Sequence, residues 1–347
     1  MTKSRTFIAT PPGYTIKEQL EYKNMSQKEF AYRMDMSEKH ISKLINGEVI
    51  LTTDMAMRLE LVLGVSASFW NNLEFIYREK LAKVELENSM DSDLELVSKF
   101  PYSKMAKFNW VPKTNSKMEK VINLRKYFEV IKLQLLFEGK LQNVYYRRLA
   151  VSENKDYALL AWAQKAKLES RNKEVSPINI KGIIDSIPFY RSLTKEEPEV
   201  FCKQLEDNLS SNGVSIVFLP HIGGSFLHGA TFYDGKKIVL GLTVRGKYAD
   251  IFWFSFFHEI AHIVLGHINM PYEDRMEKEA DLYAENALIP YEIYNKIITN
   301  NDFSIKTINY FSNEIGVDSG IIVGRLQKDG YLKHNQMNEY KKKYSIE

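Results

Sequence analysis

Three residues that can do chemistry together stand within five positions of one another. They are His258, Glu259 and His262, in the order H-E-x-x-H, inside the apolar run FWFSFFHEIAHIVLGH at 252–267. On a helix, positions four apart lie on one face, so the two imidazoles can grip a single ion. Glu259 is angled so that its carboxylate reaches a metal-bound water rather than the metal. Two neutral imidazoles, a third ligand and an open position for water make a zinc hydrolase site, and Zn2+ is the expected cofactor. Chance placement in a core helix is the poorer reading, because three ionisable side chains in so apolar a run need partners to be buried.

The third ligand must come from elsewhere. Downstream, EKEADLYAENALIP at 277–290 is rich in helix formers and stopped by proline. Glu277 and Asp281 are four apart and share a face, while Glu279 points nearly the opposite way. Glu277 is therefore the expected ligand, and Asp281 the group that orients a ligand histidine through its second nitrogen. Glu279 is the alternative ligand, and a solvated helix face is the competing reading of all three. The longer pattern H-E-x-x-H-x-x-G-x-x-H fails, with Leu265 in the glycine slot and Ile268 in the third histidine slot. His267 accordingly reads as a cation at a helix C-terminus after Gly266.

Strands precede the metal motif. VSIVFLP at 214–220 reads as a buried strand, and GATFYDGKKIVLGLTV at 229–244 as two strands joined by Asp234-Gly235, a hairpin dipeptide. An edge strand above a peptidase metal can take the substrate backbone as an added strand; 237–243 is the candidate, alongside its plain role of supporting the active helix. His221, His228 and Tyr233 flank this sheet and could polarise a carbonyl, although lone histidines are more often satisfied by the fold. Taken together, LHGATFYDGKKIVLGLT, FSFFHEIAHIVLGH and EKEADLYAENALIP resemble the ImmA/IrrE family of zinc peptidases, best over 213–290. The resemblance implies a gluzincin-like fold and, as in studied members, cleavage of a repressor protein.

The first segment, 11–83, is a run of short helices with clear punctuation. Ser26 is an expected N-cap with Glu29 three residues on, as in a capping box. Ser37 is the next cap and Gly47 the stop; a further helix is capped by Thr52 or Thr53 and ended by Gly64, and a fifth follows. Ala31, Ile41 and Leu44 supply the small residue and two bulky ones that let two helices cross closely. The outer side of the second crossing helix then shows Ser37, Glu38, Lys39, His40, Ser42, Lys43 and Asn46, a mixture able to read base edges and grip phosphates. Gln27, at the preceding helix start, can hold backbone or adenine. The segment PPGYTIKEQLEYKNMSQKEFAYRMDMSEKHISKLINGE, continued by TTDMAMRLELVLGVSASFWNNLE, resembles the phage-repressor-like (XRE) helix-turn-helix, especially the HigA type of antitoxin. Asp35 departs from the usual turn glycine but tolerates the left-handed conformation. A helical interaction module without DNA binding is the competing reading, and Glu38 among the readers favours it.

Length allows two or three domains among 347 residues. A charged fraction of 26% and a net charge of +3 are too mild to argue for nucleic acid by themselves, so any DNA surface must be local. The single cysteine, Cys202, cannot form an internal disulfide and reads as a small buried hydrophobe in a reducing cytosol. No signal peptide is recognisable, and the apolar run before His258 is too short to span a bilayer. Between 86 and 175 nothing ties to chemistry. Trp110, Tyr145, Tyr146 and Trp162 read as core or interdomain packing in preference to a ligand pocket. Arg147 and Arg148 could touch phosphates, and ESRNKEVSP reads as a linker. The basic end, MNEYKKKYSIE, reads as lying near DNA or solvated.

The resulting expectation is a cytoplasmic α+β, mostly α protein in three parts. Residues 1–84 form a five-helix helix-turn-helix domain, 85–175 a helical middle segment, and 176–347 a gluzincin-like metallopeptidase domain with a small sheet. Expected partners are a double-stranded DNA operator bound by a homodimer and a protein substrate, which could be this chain itself. The alternative is an antitoxin or repressor whose metal domain binds a toxin, ligand or partner without cleaving it.

Overall fold

In the amino-terminal region, hydroxyl side chains start four of the first five helices, and left-handed glycines stop two of them. The computed structural model describes residues 2–138, 157–222, 229–243, 248–270 and 273–344. Helix α1 spans Gly13–Tyr22, α2 Gln27–Arg33, α3 Glu38–Asn46, α4 Thr53–Leu63 and α5 Ala67–Asn88. Ser26, Ser37, Thr52 and Ser66 each accept a hydrogen bond from the backbone N–H three residues on, satisfying a donor the helix cannot use. Glu29 does not complete a capping box; its carboxylate instead meets Arg33 one turn later, at 2.7 Å. Gly47 (φ 75°) and Gly64 (φ 78°) end α3 and α4. Ala31, Ile41 and Leu44 are buried with Phe30, Met34, Leu59 and Trp70 in one core, and Asp35 takes φ 53° in the turn between α2 and α3.

This first compact unit runs to Leu94, because α5 passes unbroken through position 84. The end of α5 also holds a two-stranded ribbon, β1 (Thr2–Lys3) and β2 (Ile8–Ala9), through the Glu87 carboxylate, which accepts from Ser4 and Thr6.

The second unit spans Glu95–Glu347. Helix α6 (Asp91–Val97) precedes α7 (Tyr102–Lys107), α8 (Lys117–Phe128) and α9 (Tyr157–Ser170). Three more follow, α10 (Ile180–Asp185), α11 (Ile187–Leu193) and α12 (Pro198–Ser211). Then come strands β3 (Val214–Leu219), β4 (Gly229–Asp234) and β5 (Lys237–Thr243), in the spatial order β3-β5-β4. β5 runs parallel to β3 and antiparallel to β4. The expectation that 237–243 offers an edge is therefore wrong: β5 is hydrogen-bonded on both sides, and among the described residues β3 and β4 are the edges. The turn between β4 and β5 is Gly235-Lys236, one residue later than expected. Gly235 has φ 64° and Lys236 does not have positive φ, the sign pattern of a type II′ hairpin.

Alternation sorts the strand residues between two layers. Gly241 faces α9, where an added Cβ would lie 2.6 Å from the Trp162 ring. Leu240 and Leu242 face the other way, into the core with Phe252, Trp253, Phe256 and Phe257 of α13 (Ala249–Val264). Trp162 is 2% exposed and donates Nε1–H to the Pro220 carbonyl at 3.2 Å, so it is core rather than a ligand pocket. The middle segment and the metal region are thus one unit here, because α9 covers the sheet. Tyr145, Tyr146, Arg147, Arg148 and His228 lie outside the described residues.

Helices α14 (Asp274–Leu288), α15 (Tyr291–Asn300), α16 (Ile305–Ile315) and α17 (Ser319–Lys328) complete the unit. The basic end is docked, not solvated. Tyr344 is 3% exposed and its hydroxyl meets Trp253 Nε1 at 3.0 Å, while Lys341 pairs with Asp250 at 2.7 Å. Residues 345–347 lie outside the description. The chain is α+β and mostly α. Among the described residues, no helix is long and apolar enough to cross a membrane.

Candidate metal centre and nucleic-acid interface

Helix α13 is apolar almost all round, which buries it between the β-sheet and α14, and its two histidines meet each other. His258 and His262, one turn apart, bring their Nε2 atoms to 3.0 Å. From α14, Glu277 places Oε2 3.4 Å from His258 Nε2 and Oε1 3.9 Å from His262 Nε2. Among the described residues these three form a set whose donor atoms all lie within 4.8 Å of one another. Tetrahedral ligands at zinc distances of about 2.0–2.1 Å stand about 3.3 Å apart, so the set has the dimensions of a zinc site.

The outer partners supply the protonation pattern. Asp281 Oδ1 lies 2.9 Å from His258 Nδ1. A carboxylate only accepts, so His258 donates Nδ1–H and presents a bare Nε2. Glu279 is not in the donor set; its Oε2 meets His267 Nε2 at 3.1 Å. His267, read as a cation at the helix C-terminus, is enclosed there. It is 7% exposed, and its Nδ1 lies 3.1 Å from His262 Nδ1. Gly266, in the left-handed region at φ 75°, turns the chain back and puts His267 beneath α13. Burial alone would lower the His258 pKa. The hydrogen bond to Glu277 and the charges of Glu259, Glu277 and Asp281 outweigh it, and the net shift is upward. Surroundings that favour a proton there also favour a divalent cation.

Glu259, 7% exposed, points to the sheet instead of joining the three donors. Thr231 of edge strand β4 donates Oγ1–H to its Oε2 at 2.6 Å. Gly229, two residues earlier on the same strand face, lies so close that a Cβ would stand 2.6 Å from Glu259 Cγ and 2.8 Å from Oε1. Sequence reasoning missed Thr231, Gly229 and the His267–Glu279 contact. Alternation along β4 could have paired 229 with 231, but nothing local says that this strand lies over α13. Tyr233 shares that strand face by the same alternation. Cys202 is half-buried, its thiol pushed up to about 11 by burial and by Glu199 and Glu206, which leaves it unreactive.

In the first unit, α2, the Asp35 turn and α3 form a helix-turn-helix. Gln27, Ser37, Lys39, Lys43 and Asn46 are exposed on it, and Ser42 is half-buried. His40 is also half-buried, with Nε2 shielded from solvent, which fits it less well for reading bases. Residues 16–70 match the helix-turn-helix family model. Over 63 residues the chain is 40% identical to YddM, an uncharacterized HTH-type transcriptional regulator of Escherichia coli (strain K12), covering 18% of this chain and 67% of that protein. The chain belongs to the HTH-type transcriptional regulators. DNA binding is accordingly the role of its first unit.

Proposed function

We propose that this HTH-type regulator carries, in its second unit, a zinc-dependent peptidase of the ImmA/IrrE type that hydrolyses a peptide bond in a repressor or regulatory protein, including this chain as a candidate. The observation that supports the reading is the convergence of His258, His262 and Glu277 on one point, with Glu259 held beside it but outside the donor set. His258, His262 and Glu277 would hold the ion, and Asp281 would fix the His258 tautomer. Zinc bound there supplies Lewis acidity and an acidified water.

The remaining work falls to the chain's own groups. Glu259 takes the proton of the attacking water on its carboxylate and returns it to the leaving amine, as a general base and then a general acid. Thr231 ties down Oε2 and so orients the carboxylate. Gly229 keeps the strand close to Glu259 because any side chain there would collide with it. The edge of β4 can accept the substrate backbone as an added strand, which would lay the scissile carbonyl along the face bearing Thr231. In the first unit, Lys39 and Lys43 would hold phosphates, with Gln27, Ser37, Ser42 and Asn46 toward base edges, on an operator read by a homodimer.

The test compares wild type with Glu259→Gln, both zinc-loaded and incubated with candidate repressors and alone. Cleavage by wild type only supports the reading. Equal cleavage by both refutes the role of Glu259. Normal regulation by Glu259→Gln without any cleavage gives the metal unit a binding role, toward a toxin or another partner.

A further inference from the structure

We propose that His267 and Glu279 form a second positioning limb, which holds His262 with its Nε2 lone pair toward the metal as Asp281 does for His258. The inference rests on the metal reading above and deepens it. The chain of contacts has one direction. Glu279 can only accept, so His267 Nε2, 3.1 Å away, carries the proton. A neutral imidazole protonated at Nε2 has a bare Nδ1, and that atom lies 3.1 Å from His262 Nδ1. His262 Nδ1 must then be the donor, which leaves its Nε2 without a proton, the same state that Asp281 imposes directly on His258.

Burial and backbone agree with this assignment. The His267 side chain is 5% exposed, against 52% for Glu279, so the ring is enclosed while the carboxylate stays hydrated. Alternate residues of α14 thereby serve three partners: Glu277 the donor set, Glu279 His267, and Asp281 His258. Glu279 points away from Glu277 on the helix, and His267 reaches it because Gly266 reverses the chain after α13. A purely structural role, tying the turn to α14, would account for the His267–Glu279 bond. It would not require His267 to offer its other nitrogen to a metal-site histidine.

The experiment measures zinc affinity of the full chain by competition with a chromophoric chelator, together with the melting temperature of the zinc-free protein. His267→Leu keeps bulk but removes the acceptor, and Glu279→Ala removes the outer carboxylate. Each is expected to weaken zinc binding by about 10–100-fold, the usual effect of losing an outer partner. His267→Gln offers an amide oxygen to His262 and an amide N–H to Glu279, and is expected to restore affinity to within about threefold of wild type, since both hydrogen bonds can be remade. His262→Ala serves as reference and should abolish tight binding.

If His267→Leu and Glu279→Ala bind zinc as wild type does while His262→Ala does not, the limb is refuted and the metal site stands. If His267→Gln is as weak as His267→Leu, hydrogen bonding is not the cause and the limb is again refuted. If wild type binds no zinc, or His262→Ala binds it equally, the metal reading itself falls. Should His267→Leu fail to fold, Glu279→Ala decides alone, because Glu279 is half exposed.

Discussion

Replacing Gly229 by alanine tests the geometry around Glu259 without knowledge of any substrate. The new methyl would lie 2.6 Å from Glu259 Cγ, 2.8 Å from Oε1 and 3.0 Å from Cδ, where ordinary contact begins at 3.4 Å. The Glu259 side chain must therefore retreat by about 0.8 Å, the gap between those values. Overpacking of this kind costs about 1–3 kcal/mol. The retreat also stretches the 2.6 Å bond from Thr231, and a hydrogen bond to a charged group contributes about 1.5–3 kcal/mol. Against this, a glycine at ordinary φ becoming alanine stabilises by only about 0.4–1 kcal/mol. Strain wins, and the net expectation is a loss of roughly 1.5–5.5 kcal/mol by denaturant unfolding, from those terms together. In a Glu259→Ala background the colliding atoms are gone, so Gly229→Ala should there cost nothing or stabilise slightly. Zinc content should be unchanged, because Glu259 is outside the donor set, whereas any peptidase rate should fall by about 100-fold, the cost of a misplacement near 1 Å. An equal stability cost in both backgrounds would refute the reasoning.

Further outcomes follow from the same contacts. His258 has a raised pKa, so in zinc-free protein its contribution to stability is full below about pH 6.5 and fades as pH rises through the folded value. Zinc must displace that proton, so melting curves with and without chelator should diverge as pH rises, and parallel curves would contradict the assignment. Residues 95–347 should fold as a piece, whereas 176–347 should not, because loss of α9 uncovers the sheet face against which Trp162 packs; circular dichroism and gel filtration decide. Lys39→Ala and Lys43→Ala should each lower the slope of log affinity against log salt for a duplex operator by about 0.9, one phosphate contact apiece, and an unchanged slope would remove them from the interface.

Legibility in the sequence followed the range of the interaction. The helix caps at Ser26 and Ser37 and the stops at Gly47 and Gly64 depend on neighbours within four residues, and they read directly. The left-handed Asp35 did so too. The capping box failed at Glu29 because a competing partner, Arg33, was equally local. Strand order did not read at all. Two of the strands are joined by a two-residue turn, but which of them lies centrally depends on β3, brought in from 214–219 by parallel pairing. The linker reading of 169–177 likewise could not reveal that the helix before it covers the sheet.

The spacing of His258 and His262 determines, by helical periodicity alone, that two imidazoles share a face, and the pattern at 16–70 determines a helix-turn-helix. Only the tertiary structure decided which carboxylate meets them. Glu277 and Glu279 are equivalent in composition and two residues apart, and the packing of α14 against α13 sends one to the imidazole pair and the other to His267. It decided equally that Thr231 and Gly229, some thirty residues upstream, would flank Glu259. A side chain's partner across two elements is set by how those elements pack, and that packing is shared among the apolar residues of the whole core rather than written at the site.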